Sequence, residues 1–99
     1  MEYKFKIVKS NKDSRRIVIS SSNRSYMEEP NSFVYLVKRI QSDIGGSIEN
    51  VGDMQFKITD DKYGLVYQWD GLNGISVVYP ESVSEEDTLK FLNNYTCDF

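Results

Sequence analysis

With 99 residues, 39% of them apolar and 13% aromatic, the chain has the size and composition of one folded domain around one core, and too many aromatics for a disordered segment. Its formal charge is −3 and it contains no histidine, which removes the commonest general base, the usual partner of a Ser or Cys nucleophile and the commonest metal ligand together. Cys97 is the only cysteine, so an intrachain disulfide and a cysteine metal cluster are both excluded.

In chain order, Tyr3, Phe5 and Ile7 alternate with Lys4 and Lys6, the period of a strand with one wet face. This N-terminal stretch has no run resembling a signal peptide, and no segment approaches the roughly 18 apolar residues of a membrane span. The lone cysteine fits a reducing compartment, so the cytoplasm is the expected location. The polar SNKDSR stretch then turns the chain, and the β-branched run Ile17, Val18, Ile19 pairs back as a hairpin. Ser20 to Pro30 is polar, has no period and reads as a connection.

From Asn31 the period changes: Phe33, Leu36, Val37, Ile40 and Ile44 fall on one side of a helix, with Lys38, Arg39, Gln41 and Asp43 on the other. Asn31 or Ser32 is the expected N-cap, and Gly45 and Gly46 supply a left-handed stop. Met54, Phe56 and Ile58 form the next strand, beginning as early as Ser47, and DDKYG reverses it. Leu65, Tyr67 and Trp69 alternate next, and after DGLNG so do Ile75, Val77 and Tyr79. Ser84, with Asp87 three residues on and three acids in the first turn, starts a second helix expected to run to about Asn94. The sum is one α+β domain over residues 1–99: a single antiparallel sheet of about five strands and two helices, in the order β-β-α-β-β-β-α, the first helix covering a sheet face.

Chemistry is sparse. The glycines form neither GxGxxG nor a phosphate loop, and DMQFKITDD lacks the ligand spacing of a calcium loop. The adjacent carboxylates Glu28–Glu29, Asp60–Asp61 and Glu85–Glu86 fall in loops or at a helix start, where solvated charge is the ordinary role. Asp70 suits a turn, and Tyr67 and Trp69 suit the core. No catalytic residue, metal site or cofactor is expected, and the reading is of a non-enzymatic protein. Val66 and Val78 make the opposite face of the sheet partly apolar, which calls for a cover: the second helix, the tail from Tyr95 to Phe99, or another protein.

Charge is uneven along the chain. Residues 1–50 carry nine Lys or Arg against six acids, and residues 51–99 three against nine. The acidic second half suits a cationic partner. Lys4, Lys6, Lys9, Lys12, Arg15 and Arg16 concentrate on the first hairpin, the one place for a nucleic acid, but overall acidity and the lack of interleaved exposed aromatics weigh against it.

In size, charge and element order, and most sharply at YGLVYQWDGLNGISVVYP with its aromatic-Gln-Trp-Asp stretch, the chain resembles the immunity proteins of bacterial contact-dependent growth inhibition and related polymorphic toxin systems. That resemblance implies a cytoplasmic protein, a monomer when free, that covers the active site or substrate surface of a cognate toxin domain, a basic nuclease being the expected partner. On this expectation Asp60, Asp61, Glu85, Glu86 and Asp87 supply steering charge, and Tyr63 and Tyr95 are exposed aromatic anchors. The alternatives are a regulatory or phage-encoded protein-interaction module and a nucleic-acid-binding domain using the basic hairpin.

Overall fold

Alternation of apolar and polar residues builds most of this molecule. The computed structural model describes residues 3–22, 28–60 and 62–97. Along the chain lie β1 (Phe5–Asn11), β2 (Arg16–Ser21), α1 (Glu29–Ile44), β3 (Ser47–Gly52), β4 (Gln55–Thr59), β5 (Val66–Asp70), β6 (Gly74–Val78) and α2 (Glu85–Leu92). The strands form one antiparallel sheet in the order β1-β2-β6-β5-β4-β3.

The sheet has six strands, not about five, and the order gains a strand after α1. The run from Ser47 to Thr59 is a hairpin, reversed at Asp53–Met54 with Met54 held at φ +52°. Its two arms carry the same alternation, Ile48 opposite Ile58 and Asn50 opposite Phe56, so no break in period marks the turn. The last strand, β6, does not stay at an edge: it pairs with both β5 and β2 and so joins the first hairpin to the rest.

Register places Ile17, Val77, Tyr67 and Phe56 in one row across four strands, and Ile7, Ile19, Ile75 and Trp69 in the next. Because side chains alternate between faces, all of these look to the same side. There Phe33, Leu36, Val37 and Ile40 of α1 close over them. Phe91 and Leu92 of α2 and the following Tyr95 belong to the same core, so both helices lie on one face. The cover expected from α2 or the tail for the Val66 and Val78 face is therefore absent among the described residues.

α1 begins at Glu29, earlier than an Asn31 or Ser32 cap allows. Pro30 stands in the first turn, where its fixed φ suits a helix and its missing N–H costs nothing. Ser32 is buried, and its hydroxyl donates to the Glu29 carbonyl (2.7 Å) instead of capping. The stop is as expected: Gly45 takes φ +81° and its N–H closes onto Gln41 O. Ser84 does cap α2, its Oγ accepting from Asp87 N (3.1 Å), but the helix ends at Leu92 and the chain turns before Tyr95.

Candidate functional site

The residues expected to meet a partner do not form one patch. The Asp60 carboxylate accepts the backbone N–H groups of Lys62 (3.1 Å), Tyr63 (2.8 Å) and Gly64 (2.9 Å), which builds the turn into β5. Burial pushes this carboxyl up, but those three donors outweigh it and hold the group below the usual carboxylate range. Asp61 lies outside the described residues. Tyr63 is half-buried, its ring 4.4 Å from that of Phe91 in a stacked arrangement. Tyr95 is only 9% exposed, its hydroxyl donating to Asp43 (2.9 Å) and its ring under the Arg39 guanidinium. The expectation of two exposed aromatic anchors is thus corrected: both rings pack on Phe91 of α2, where burial of aromatic area outweighs exposure to solvent.

The remaining three acids do come together. Glu85, Glu86 and Asp87 form the first turn of α2, where negative charge suits the helix dipole. That turn stands beside the tip of the β1–β2 hairpin: Ser10 Oγ donates to Glu85 (2.7 Å), and Lys12 and Arg15 face Ser84, Glu85 and Glu86 across a cleft of about 480 Å³. Glu86 also pairs with Lys90 one turn on (3.4 Å), both side chains largely in water. The wall of the cleft includes Tyr79, 3% exposed, whose buried hydroxyl has no hydrogen-bond partner among the described residues. Burial raises its pKa first; the charge of Glu85 adds to that and Arg15 opposes it.

The alternation of Ile75, Val77 and Tyr79 predicts a shared face for Tyr79 but gives no sign of an unpartnered hydroxyl. Chain order assigns Lys12 and Arg15 to one end of the chain and Glu85 and Glu86 to the other; the fold sets them on opposite walls of one cleft. The strand cations gather on one sheet face, while the helices carry Lys38, Arg39 and Lys90 along with their acids. Lys6, Lys9, Arg16 and Lys57 lie in register with Ser20, Val18, Val78 and Val66 on the open face, where Glu49 and Asp70 are the acids. The acids of both helices go to the other side.

On the open face Arg16 bridges Gln68 Oε1 (3.0 Å) and Ser76 Oγ (2.7 Å), and Val18, Val66 and Val78 are half-buried around it. Asp70 accepts from Leu72 N (2.8 Å), Asn73 N (2.6 Å) and Asn73 Nδ2 (3.1 Å). This locks the β5–β6 turn with Leu72 at its tip, 97% exposed. Among the described residues no group of three or more metal-ligating side chains converges, and no helix is long and apolar enough to cross a membrane.

No family model, curated protein or solved structure matches this chain. The class defined by fold and site is a small α+β protein, its helices on one face of a six-stranded antiparallel sheet and its acidic helix start opposite a basic hairpin tip.

Proposed function

We propose that this protein is a cytoplasmic binding protein that neutralises a cognate toxin domain, a basic nuclease, by covering its active site or substrate surface. The observation that carries the reading is the cleft at the start of α2, where Glu85 and Glu86 share the lining with Tyr79, and Asp87 follows in the same helical turn. An arginine or lysine from a basic partner meets the Glu85 and Glu86 carboxylates at the mouth of this cleft. Asp60 and Asp70 support a binding role in another way, since both carboxylates are committed to turns and neither is available to transfer a proton.

The test is co-expression with the polypeptide encoded in the neighbouring reading frame. Growth is expected to be restored, and the purified pair to form a complex whose association slows with salt. Reversing Glu85, Glu86 and Asp87 to Lys should slow association by about tenfold and flatten the salt dependence. Loss of neither protection nor rate, with a native circular dichroism spectrum, would remove the acidic cleft from the mechanism; absence of any complex would remove the reading.

A second reading is favoured by the basic open face: a nucleic-acid-binding domain on Lys6, Lys9 and Arg16. That face has no aromatic side chain among the described residues to stack a base, and stacking supplies much of single-strand affinity. A band shift with mixed RNA and DNA at low salt decides it.

A further inference from the structure

The two edges of the sheet are finished differently. At β1 the strand is bulged at Val8, carries Lys6 and Lys9, and is capped by the C-terminal segment, with Cys97 N donating to Phe5 O (2.7 Å). Each of these discourages another strand from pairing there. The opposite edge, β3, shares the bulge, at Val51, but has no lysine, proline or capping segment among the described residues, and Ile48 and Val51 are 38% and 44% exposed.

Its free hydrogen-bonding groups can be assigned. Both Ser47 N and Ser47 O engage the Thr59 hydroxyl on β4, at 3.2 and 3.1 Å, so the main-chain groups of Ser47 point inward. Along an antiparallel strand this direction alternates, which turns the N–H and C=O of Ile48 and Asn50 outward. Ile48 is in register with buried Ile58 and therefore lies on the helix side of the sheet. Between it and α1 runs an apolar groove of about 200 Å³ lined by Val34, Val37 and Phe56, with exposed Lys38 at its rim. Lys38 has no carboxylate partner among the described residues.

We propose that the β3 edge and this groove accept an extended strand from a partner protein, which carries an aliphatic residue opposite Ile48 and an acid two positions along on the same face. A strand hydrogen-bonded to Ile48 and Asn50 places the side chain opposite Ile48 on the helix side, over the groove, because paired residues share a face. The next residue on that face stands near Lys38, and the charge of the lysine selects a carboxylate there. Main-chain bonds supply affinity and the groove supplies selectivity, as in other strand-addition sites. This site is separate from the cleft at α2 and goes beyond the proposed function.

The experiment uses the whole protein and a labelled, acetylated and amidated octapeptide, one face two valines followed by two glutamates and the other threonine. Fluorescence anisotropy should show saturable binding, with slowed amide exchange at Ile48 and Asn50. Lys38→Glu should weaken it about tenfold, or about 1.4 kcal/mol, and a peptide with lysines in place of the glutamates should recover the loss. Ile48→Pro removes an N–H that no strand among the described residues uses and should abolish binding. Lys90→Glu, on α2, should change nothing. If Ile48→Pro does not fold, the charge exchange at Lys38 decides alone. Absence of saturation, equal binding by Lys38→Glu and the native protein, or a concentration-dependent dimer that pairs through β3 would each overturn the proposal.

Discussion

Asp60 and Tyr95 show how single side chains of this protein exchange an apparent surface role for a structural one. Hydrogen bonds to a charged group are worth about 1.5–3 kcal/mol when buried and less near water, so Asp60→Ala should cost about 1–2 kcal/mol in urea unfolding. The Asp60 carboxyl is held low in the folded state. Its contribution is thus complete above the unfolded value of about 3.9 and is lost as pH falls through the lower folded value. Asp60→Asn should flatten the acid side of the stability curve, and an unchanged acid side would show that the turn does not depend on the charge. Tyr95 works in the opposite direction. Burial first, then the hydrogen bond to Asp43, push its pKa up to about 12. The stability it gives is complete below the unfolded value of about 10 and disappears as pH rises toward 12. Phenolate absorbance should show late titration in the native protein, and Tyr95→Phe should remove one phenol's share of it near pH 12, since Tyr3, Tyr67 and Tyr79 are also held high.

At the scale of elements, the junction of α1 and β3 rests on two adjacent glycines with different duties. Gly45 sits at φ +81° and ψ −166°, a region almost confined to glycine, but a Cβ there would meet nothing within 4 Å. Gly46, at φ +83°, is pressed against β4, and a Cβ would run into the Thr59 carbonyl. Gly45→Ala should therefore cost about 1–3 kcal/mol from backbone strain alone. Gly46→Ala should cost more, because β4 has to move as well; thermal melts of the two variants rank them, and equal losses would mean that β4 yields freely. Both glycines were legible as a helix stop. The β3–β4 turn was not: Gly52-Asp53-Met54 sits inside an unbroken alternation, and Met54 accepts a left-handed conformation that sequence assigns to Gly or Asn. The start of α1 was also misplaced, since Asn31 and Ser32 have cap chemistry but Pro30 had already set the helical dihedral.

Over the whole molecule, β6 is the strand on which the parts depend. Between β2 and β5 it supplies Ile75, Ser76 and Val77 to the buried middle of the sheet. Both helices share one core with it, so unfolding has no obvious place to divide. Trp69 fluorescence and far-ultraviolet circular dichroism should therefore change together in urea. Separated transitions would indicate that the β3–β4 hairpin, at the exposed edge, opens before the rest.

What the amino-acid order determined by itself is the local part: which residues alternate, where the amphipathic helix runs, that Ser84 begins α2, and that Asp70 and Gly45 belong to turns. These follow from periods of two and of 3.6 residues and from backbone preferences, which act over a few neighbours. Only the tertiary structure decided that Tyr63 and Tyr95 turn inward, that Lys12 and Arg15 share a cleft with Glu85 and Glu86, and that the strand cations gather on the open sheet face. Those outcomes depend on β6 pairing with β2 and on α2 folding back onto the core that α1 covers. Such long-range meetings leave no periodic trace in the chain, because the burial that drives them rewards apolar area without specifying which distant residues supply it.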